Sequence, residues 1–146
     1  QGDWRYEETF KRAQNDHAAK LRCVLGFSAD LASKIYGGSD MFLMPSKFEP
    51  CGLSQLIAMR YGSVPIVRET GGLRDTVRPY NHDTGEGNGL TFYSYNAYAM
   101  LDAVQRAVGL YRDFKGDWAK VVENGMNGDY SWAATAKKYE EIYETV

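Results

Sequence analysis

The sequence predicts an α/β domain in three layers, a parallel sheet with helices on both faces. Three observations predict it. Short apolar runs, partly β-branched, recur along the chain and suit buried strands. They alternate with longer segments whose apolar residues return at helical spacing, and this alternation is the pattern of a parallel sheet. The length, 146 residues with 44% hydrophobic content, fits one domain (1–146) with a real core.

Residues 4–19 read as a helix, with Trp4, Tyr6, Phe10, Ala13 and Ala18 near one stripe. Leu21–Phe27 is short and apolar and predicts a buried strand that carries Cys23. Ser28 is a helix N-cap, and Leu31, Ile35 and Tyr36 continue the helix to Gly37-Gly38, a natural stop. Asp40–Met44 predicts a second buried strand, closed by Pro45. A tight segment, Ser46 to Gly52, leads into an apolar helix from about Leu53 to Tyr61. Val64–Val67 predicts a strand with a Pro tolerable near its start. Thr70–Leu73 is a turn with a short helical piece after it, and 79–89, rich in Asn, Asp and Gly, is a surface loop. Gly89–Tyr93 is a fourth short strand. Helices follow at Asn96–Tyr111, near Trp118–Met126, and from a Ser131 cap through Tyr143. The pattern opens on a helix, where such a domain usually opens on a strand. The chain also starts Gln1-Gly2-Asp3 with no Met, so further strands are expected upstream.

Bulk properties exclude several classes. Seventeen basic and 19 acidic residues leave a net charge of −2, which points to neither nucleic acid nor an anionic membrane. No window approaches a membrane-spanning apolar run, and the first residues lack a signal-peptide layout. Cys23 and Cys51 belong to no Cys/His cluster, so no metal is expected and free thiols in the cytoplasm are the simplest reading. His17 and His82 read as surface residues.

In a doubly wound sheet, ligands bind beyond the carboxyl ends of the strands. Three such ends are expected along one edge: Gly26–Ser28, Pro45–Gly52 and Arg68–Leu73. The middle one is the most informative. Gly52 lets the backbone approach a ligand, and the free amides of Leu53 and Ser54 open a helix, an arrangement suited to a diphosphate. Glu49 would repel phosphate. It makes sense facing a sugar joined to that phosphate, where it accepts hydroxyl hydrogen bonds or stabilises positive charge at the anomeric carbon. A helix-capping role for Glu49 stands beside this reading. There is no Gly-x-Gly-x-x-Gly and no P-loop Lys.

Three spaced motifs extend the reading. Phe48-Glu49-Pro50-Cys51-Gly52-Leu53-Ser54-Gln55, Arg60–Val67 and Thr70-Gly71-Gly72-Leu73-Arg74-Asp75-Thr76-Val77 together closely resemble the glycogen synthase and starch synthase family of bacteria and plants. The resemblance covers almost the whole chain, from Gly37–Asp40 to Asp129–Trp132. It implies a B-type glycosyltransferase, two Rossmann-like domains facing across a cleft, of which this chain is the C-terminal, nucleotide-sugar-binding one. It implies retaining transfer of glucose from ADP-glucose to an α-1,4-glucan, with no metal ion and no cofactor. By resemblance Glu49 is the active-site carboxylate, Cys51 and Gly52 line the donor sugar, and the Leu53 and Ser54 amides hold the diphosphate. Phe27 matches an adenine-stacking aromatic, and Thr70, Gly71 and Gly72 form a loop beside the donor.

Two departures qualify it. Position 57, where the wider superfamily often has a second Glu, is Ile57, as suits the synthase branch. The family's diphosphate-neutralising Arg and Lys, and its Lys-Thr-Gly-Gly-Leu motif, are not in this sequence. The chain alone is therefore expected to have little transferase activity, with acceptor glucan bound through the other domain. Arg68, Arg74 and Arg78 are expected on a solvated face, with a cationic patch near the cleft the other reading and Arg68 close to the site; Tyr93, Tyr95 and Tyr98 are expected in core packing or at a strand end, with glucan contact the other reading. The Trp132–Tyr143 face is expected to be partly exposed and to favour self-association. Two other functions stand as alternatives, a different retaining B-type transferase and a non-catalytic nucleotide- or glucan-binding module.

Overall fold

Each apolar run has to find a partner ladder for its backbone before it can be a strand, and this requirement sorts the predicted elements. The computed structural model describes residues 2–145. They fall into two compact units, divided between Ser33 and Lys34.

The first unit opens with α1 (Trp4–Asp16). The Asp3 side chain caps it by accepting from the Arg5 amide, and the Arg5 guanidinium beside it holds that carboxyl below its ordinary range. The helix ends at His17, shorter than the expected 4–19. Leu21–Phe27 is not a strand. Within this unit it has no ladder to join, and the Cys23 amide donates instead to Gln14 Oε1 at 2.6 Å. Val24, Leu25 and Phe27 are exposed, and Cys23 is only half-buried, not a core residue. Ser28 caps as expected, its Oγ accepting from the Leu31 amide at 3.3 Å at the start of α2 (Ala29–Gly38).

The second unit holds the sheet. Its strands are β1 (Met41–Met44), β2 (Val64–Arg68) and β3 (Leu90–Phe92), in the order β1-β2-β3 and all parallel. Between them run α3 (Ser54–Arg60) and α4 (Gly71–Thr76). After them come α5 (Ala97–Asp113), α6 (Lys115–Met126) and α7 (Trp132–Glu144). Met41 pairs with Val64 and Met44 with Val67; Ile66 pairs with Leu90 and Arg68 with Phe92.

β2 is the middle strand and its side chains are split between two faces. Val64 and Ile66 join Leu90, Phe92, Ala103, Ala107 and Val121 in the main core, under α5 and α6. Val67 packs with Leu73 and Val77, around α4, in a second cluster. The three-layer expectation is met. β1 departs from it in one respect: it was expected to be buried, but it pairs on one side only and stays half-buried, with Leu43 exposed.

The 79–89 loop is more tightly held than its polar composition suggests. Tyr80 donates its hydroxyl to Asp117 Oδ1 at 2.8 Å, and His82 Nδ1 lies 3.0 Å from Asp117 Oδ2. Asn124 Nδ2 donates to the Gly85 and Gly87 carbonyls. Burial and the Asp117 bond push the Tyr80 phenol up to about 12. Ser131 caps α7 by accepting from the Ala134 amide, and Trp132, Tyr139, Ile142 and Tyr143 are exposed on it, as expected. Among the described residues no helix is long and apolar enough to cross a membrane.

Candidate functional site

The parallel register sets the three strand ends side by side: Met44 is opposite Val67, and Arg68 opposite Phe92. Two of the three predicted strand ends, Pro45–Gly52 and Arg68–Leu73, therefore share one edge of the sheet. The third, Gly26–Ser28, follows no strand and belongs to the first unit.

Arg68 ties this edge together. Its Nε donates to the Tyr93 carbonyl at 3.1 Å, and one terminal nitrogen donates to the Lys47 carbonyl at 2.7 Å. The guanidinium also lies 5.4 Å from the centre of the Tyr95 ring. It is half-buried rather than fully solvated, and lies at the site edge as the other reading had it: the five donors of a guanidinium suit a place where strand-end carbonyls converge. Tyr93, Tyr95 and Tyr98 are all exposed, so the core-packing expectation fails, while Tyr93 does follow β3 directly. Arg74 and Arg78 are exposed.

Beyond β1, the Glu49–Cys51 backbone is pressed against the turn that opens α4. The Gly72 amide donates to the Glu49 carbonyl at 3.1 Å. A Cβ on Gly71 would run into the Glu49 carbonyl, and one on Gly72 into the Cys51 backbone. Gly71 also has φ +46°, in the left-handed region that glycine tolerates. The Gly-Gly pair is therefore required by backbone meeting backbone, with Thr70 extended just before it as the α4 N-cap residue. Gly52 has φ +73°, and the place of its missing Cβ is taken by the Gln55 side-chain amide.

Glu49 is half-buried, and its carboxylate has no hydrogen-bond or ion-pair partner among the described residues. It does not cap α3: Leu53, the N-cap residue, has no side-chain cap, and the Leu53 and Ser54 amides donate to no acceptor among those residues. Cys51 is an exposed free thiol and Leu53 is exposed. The edge thus offers an unpaired carboxylate followed, four and five residues on, by amides unpaired among the described residues. That set can accept hydroxyl hydrogen bonds and donate to an anion. Glu49, Cys51, Gly52, Leu53, Ser54, Thr70, Gly71 and Gly72 all belong to these two loops. Phe27 belongs to the first unit, where its ring is 94% exposed.

Two contributors were missed by sequence reasoning. Gln55 is fully buried beneath the loop, and Thr76 on α4 meets it. The signal for Gln55 was a polar residue at the second position of an otherwise apolar helix.

Comparison with known proteins decides the family. The model of the glycosyl transferases group 1 family matches residues 2–115. The chain belongs to this family.

Among curated group 1 relatives, the glycogen synthase of Clostridium novyi is 58% identical over 145 residues, 99% of this chain and 30% of that protein. The glycogen synthase of Desulfitobacterium hafniense is 52% identical, again over 99% of this chain and 31% of that protein. The chain therefore spans about a third of the length of these relatives. The catalytic domain of starch synthase IV from Arabidopsis thaliana, solved bound to ADP and acarbose, superposes with a TM-score of 0.82 at 39% identity, over 94% of this chain and 29% of that one. Sucrose-phosphate synthase from Thermosynechococcus elongatus shares the fold at a TM-score of 0.68 and 22% identity, over 99% of this chain and 35% of that one. The parallel sheet and its helices are thus part of the B-type glycosyltransferase fold.

Proposed function

We propose that this group 1 glycosyl transferase chain is the donor-nucleotide-binding, C-terminal part of a retaining glucosyltransferase that elongates α-1,4-glucan from ADP-glucose. The observation that carries the reading is identity above 50% to glycogen synthases across essentially the whole chain. The ADP held by the starch synthase relative supports a nucleotide on the same fold.

The reading gives the residues of the two loops the following roles. The Leu53 and Ser54 amides, which donate to no acceptor among the described residues, take the diphosphate, where N–H groups without partners suit anionic oxygens. Cys51 and Gly52 line the sugar, with the Gly52 turn seated on the Gln55 amide. Glu49, with no partner of its own, faces the glucose and stabilises positive charge developing at the anomeric carbon. Thr70, Gly71 and Gly72 close the loop beside the donor. Acceptor glucan binds through the rest of the parent protein, in the cytoplasm.

Calorimetric titration with ADP, UDP and ADP-glucose, on the chain and on Glu49→Ala, tests this. The expected result is binding of ADP, and a variant that loses affinity for ADP-glucose but not for ADP. Folding stability should stay within about 0.5 kcal/mol, because the carboxylate has no partner to lose. Equal loss of ADP and ADP-glucose by the variant removes Glu49 from the sugar, and preference for UDP changes the donor.

A further inference from the structure

An amphipathic helix packed on a sheet buries apolar side chains, yet one of the residues that α3 buries completely is polar. Gln55 is 0% exposed. Its Nε2 lies 2.9 Å from the Gly52 carbonyl, 3.3 Å from the Cys51 carbonyl and 3.1 Å from Thr76 Oγ1. Thr76 in turn donates its hydroxyl to the Gly72 carbonyl at 2.6 Å. Because that proton is committed to Gly72, Thr76 Oγ1 can only accept from Gln55, which fixes which end of the Gln55 amide faces it. The two Nε2 protons are shared among three acceptors, the Cys51 carbonyl being the most distant.

The result is a closed path between the two loops. It runs from Cys51 and Gly52 through the Gln55 amide and the Thr76 hydroxyl to Gly72, and returns from the Gly72 amide to the Glu49 carbonyl. The other end of the Gln55 amide, Oε1, is buried with no partner. A fold that leaves an acceptor unsatisfied in order to seat this amide gives up stability at that point. An apolar side chain would leave no such acceptor buried, so packing alone does not explain a Gln.

We propose that Gln55 is a positioning residue: through Thr76 it locks the Cys51–Gly52 loop to the Gly71–Gly72 turn and so sets the geometry of the donor site. The role of those loops rests on the function proposed above; the lock itself does not. Gln55 touches neither nucleotide nor sugar and acts through the backbone it holds.

Two measurements test this, on Gln55→Met, Thr76→Val and Thr76→Ser. The first is amide exchange of Gly72 by NMR, taken as a ratio to the β2 amides so that global destabilisation cancels. The second is ADP affinity by calorimetry, with the core variant Val121→Ala as a control for stability loss away from the loops. Gln55→Met and Thr76→Val should each raise the Gly72 ratio about tenfold and weaken ADP about tenfold, the effect of losing one or two buried bonds. Thr76→Ser, which keeps the hydroxyl, should restore both, and Val121→Ala should leave ADP affinity unchanged. An unchanged Gly72 ratio in both Gln55→Met and Thr76→Val overturns the lock. A raised ratio with unchanged ADP affinity overturns the positioning role. If the unaltered chain binds no ADP, the donor reading fails for this chain and the exchange ratio alone decides the lock.

Discussion

Replacing Gly72 by Ala adds one methyl where the structure has no room for it. The new Cβ would sit on the Cys51 carbonyl and 2.6 Å from the Cys51 Cα, and these are backbone atoms that cannot rotate away. Gly72 does not have a positive φ, so the backbone itself accepts Ala and the penalty is steric. Forcing a methyl into a packed contact costs about 1–3 kcal/mol. Pushing the loops apart also stretches the bond from the Gly72 amide to the Glu49 carbonyl, worth about 1 kcal/mol. Ala in place of Gly within a helix returns up to about 1 kcal/mol. The net expectation is a loss of about 1–3 kcal/mol. Gly109→Ala is the matched control: it lies within α5 with nothing within 4 Å of its added Cβ, and should gain about 1 kcal/mol. Urea unfolding followed by circular dichroism measures both. A Gly72→Ala chain as stable as the unaltered one would mean that the two loops do not meet, and the whole description of the site edge would fall with it.

Arg68→Met should cost about 2 kcal/mol by releasing the Lys47 and Tyr93 carbonyls, and Arg68→Lys should not rescue it, since one ammonium cannot replace a planar fork. Full rescue by Lys in the same urea assay would reduce Arg68 to a simple charge. For Tyr80, the folded chain holds the phenolic proton more tightly than the unfolded chain, whose phenol titrates near 10.0. The stability this contributes is complete below pH 10.0 and is lost as pH rises through about 12. Tyr80→Phe should flatten the fall in urea stability over that range; an unaltered fall would mean that the Asp117 bond does not hold the phenol.

The legible part of the fold was whatever local pattern decides. Ser28 and Ser131 announced their helices because an N-cap side chain acts within its own turn. Val64–Val67 reads as a strand and is one, since its runs on both faces find helices to cover them. Leu21–Phe27 carries the same apolar signal and failed, because a strand is a property of two segments and sequence shows only one. The site divides along the same line. Gly71 and Gly72 were picked out by resemblance, but the reason they must be glycine is the Glu49 and Cys51 backbone, 22 and 21 residues away. Arg68 read as a solvated or cleft-side cation, and its partners became visible only when the segments after β1 and β3 were brought to it. His82 looked unpartnered for the same reason: Asp117 comes to it from α6.

The register of the sheet also bears on the order in which the molecule assembles. Met41 and Val64 are 23 residues apart and Ile66 and Leu90 are 24 apart, so closing either loop costs nearly the same chain entropy. Topology therefore sets no order, and side-chain burial must. β2 and β3 bring together Val64, Ile66, Leu90 and Phe92, each 5% exposed or less, whereas β1 stays half-buried. The β2–β3 pairing should consolidate first, with β1 annealing onto it afterwards, an order that pulse-labelled refolding resolves from the arrival of protection in each strand. The segment bearing Glu49 then enters the fold late, and by microscopic reversibility it is among the first to leave on unfolding, while the buried strands behind it remain paired.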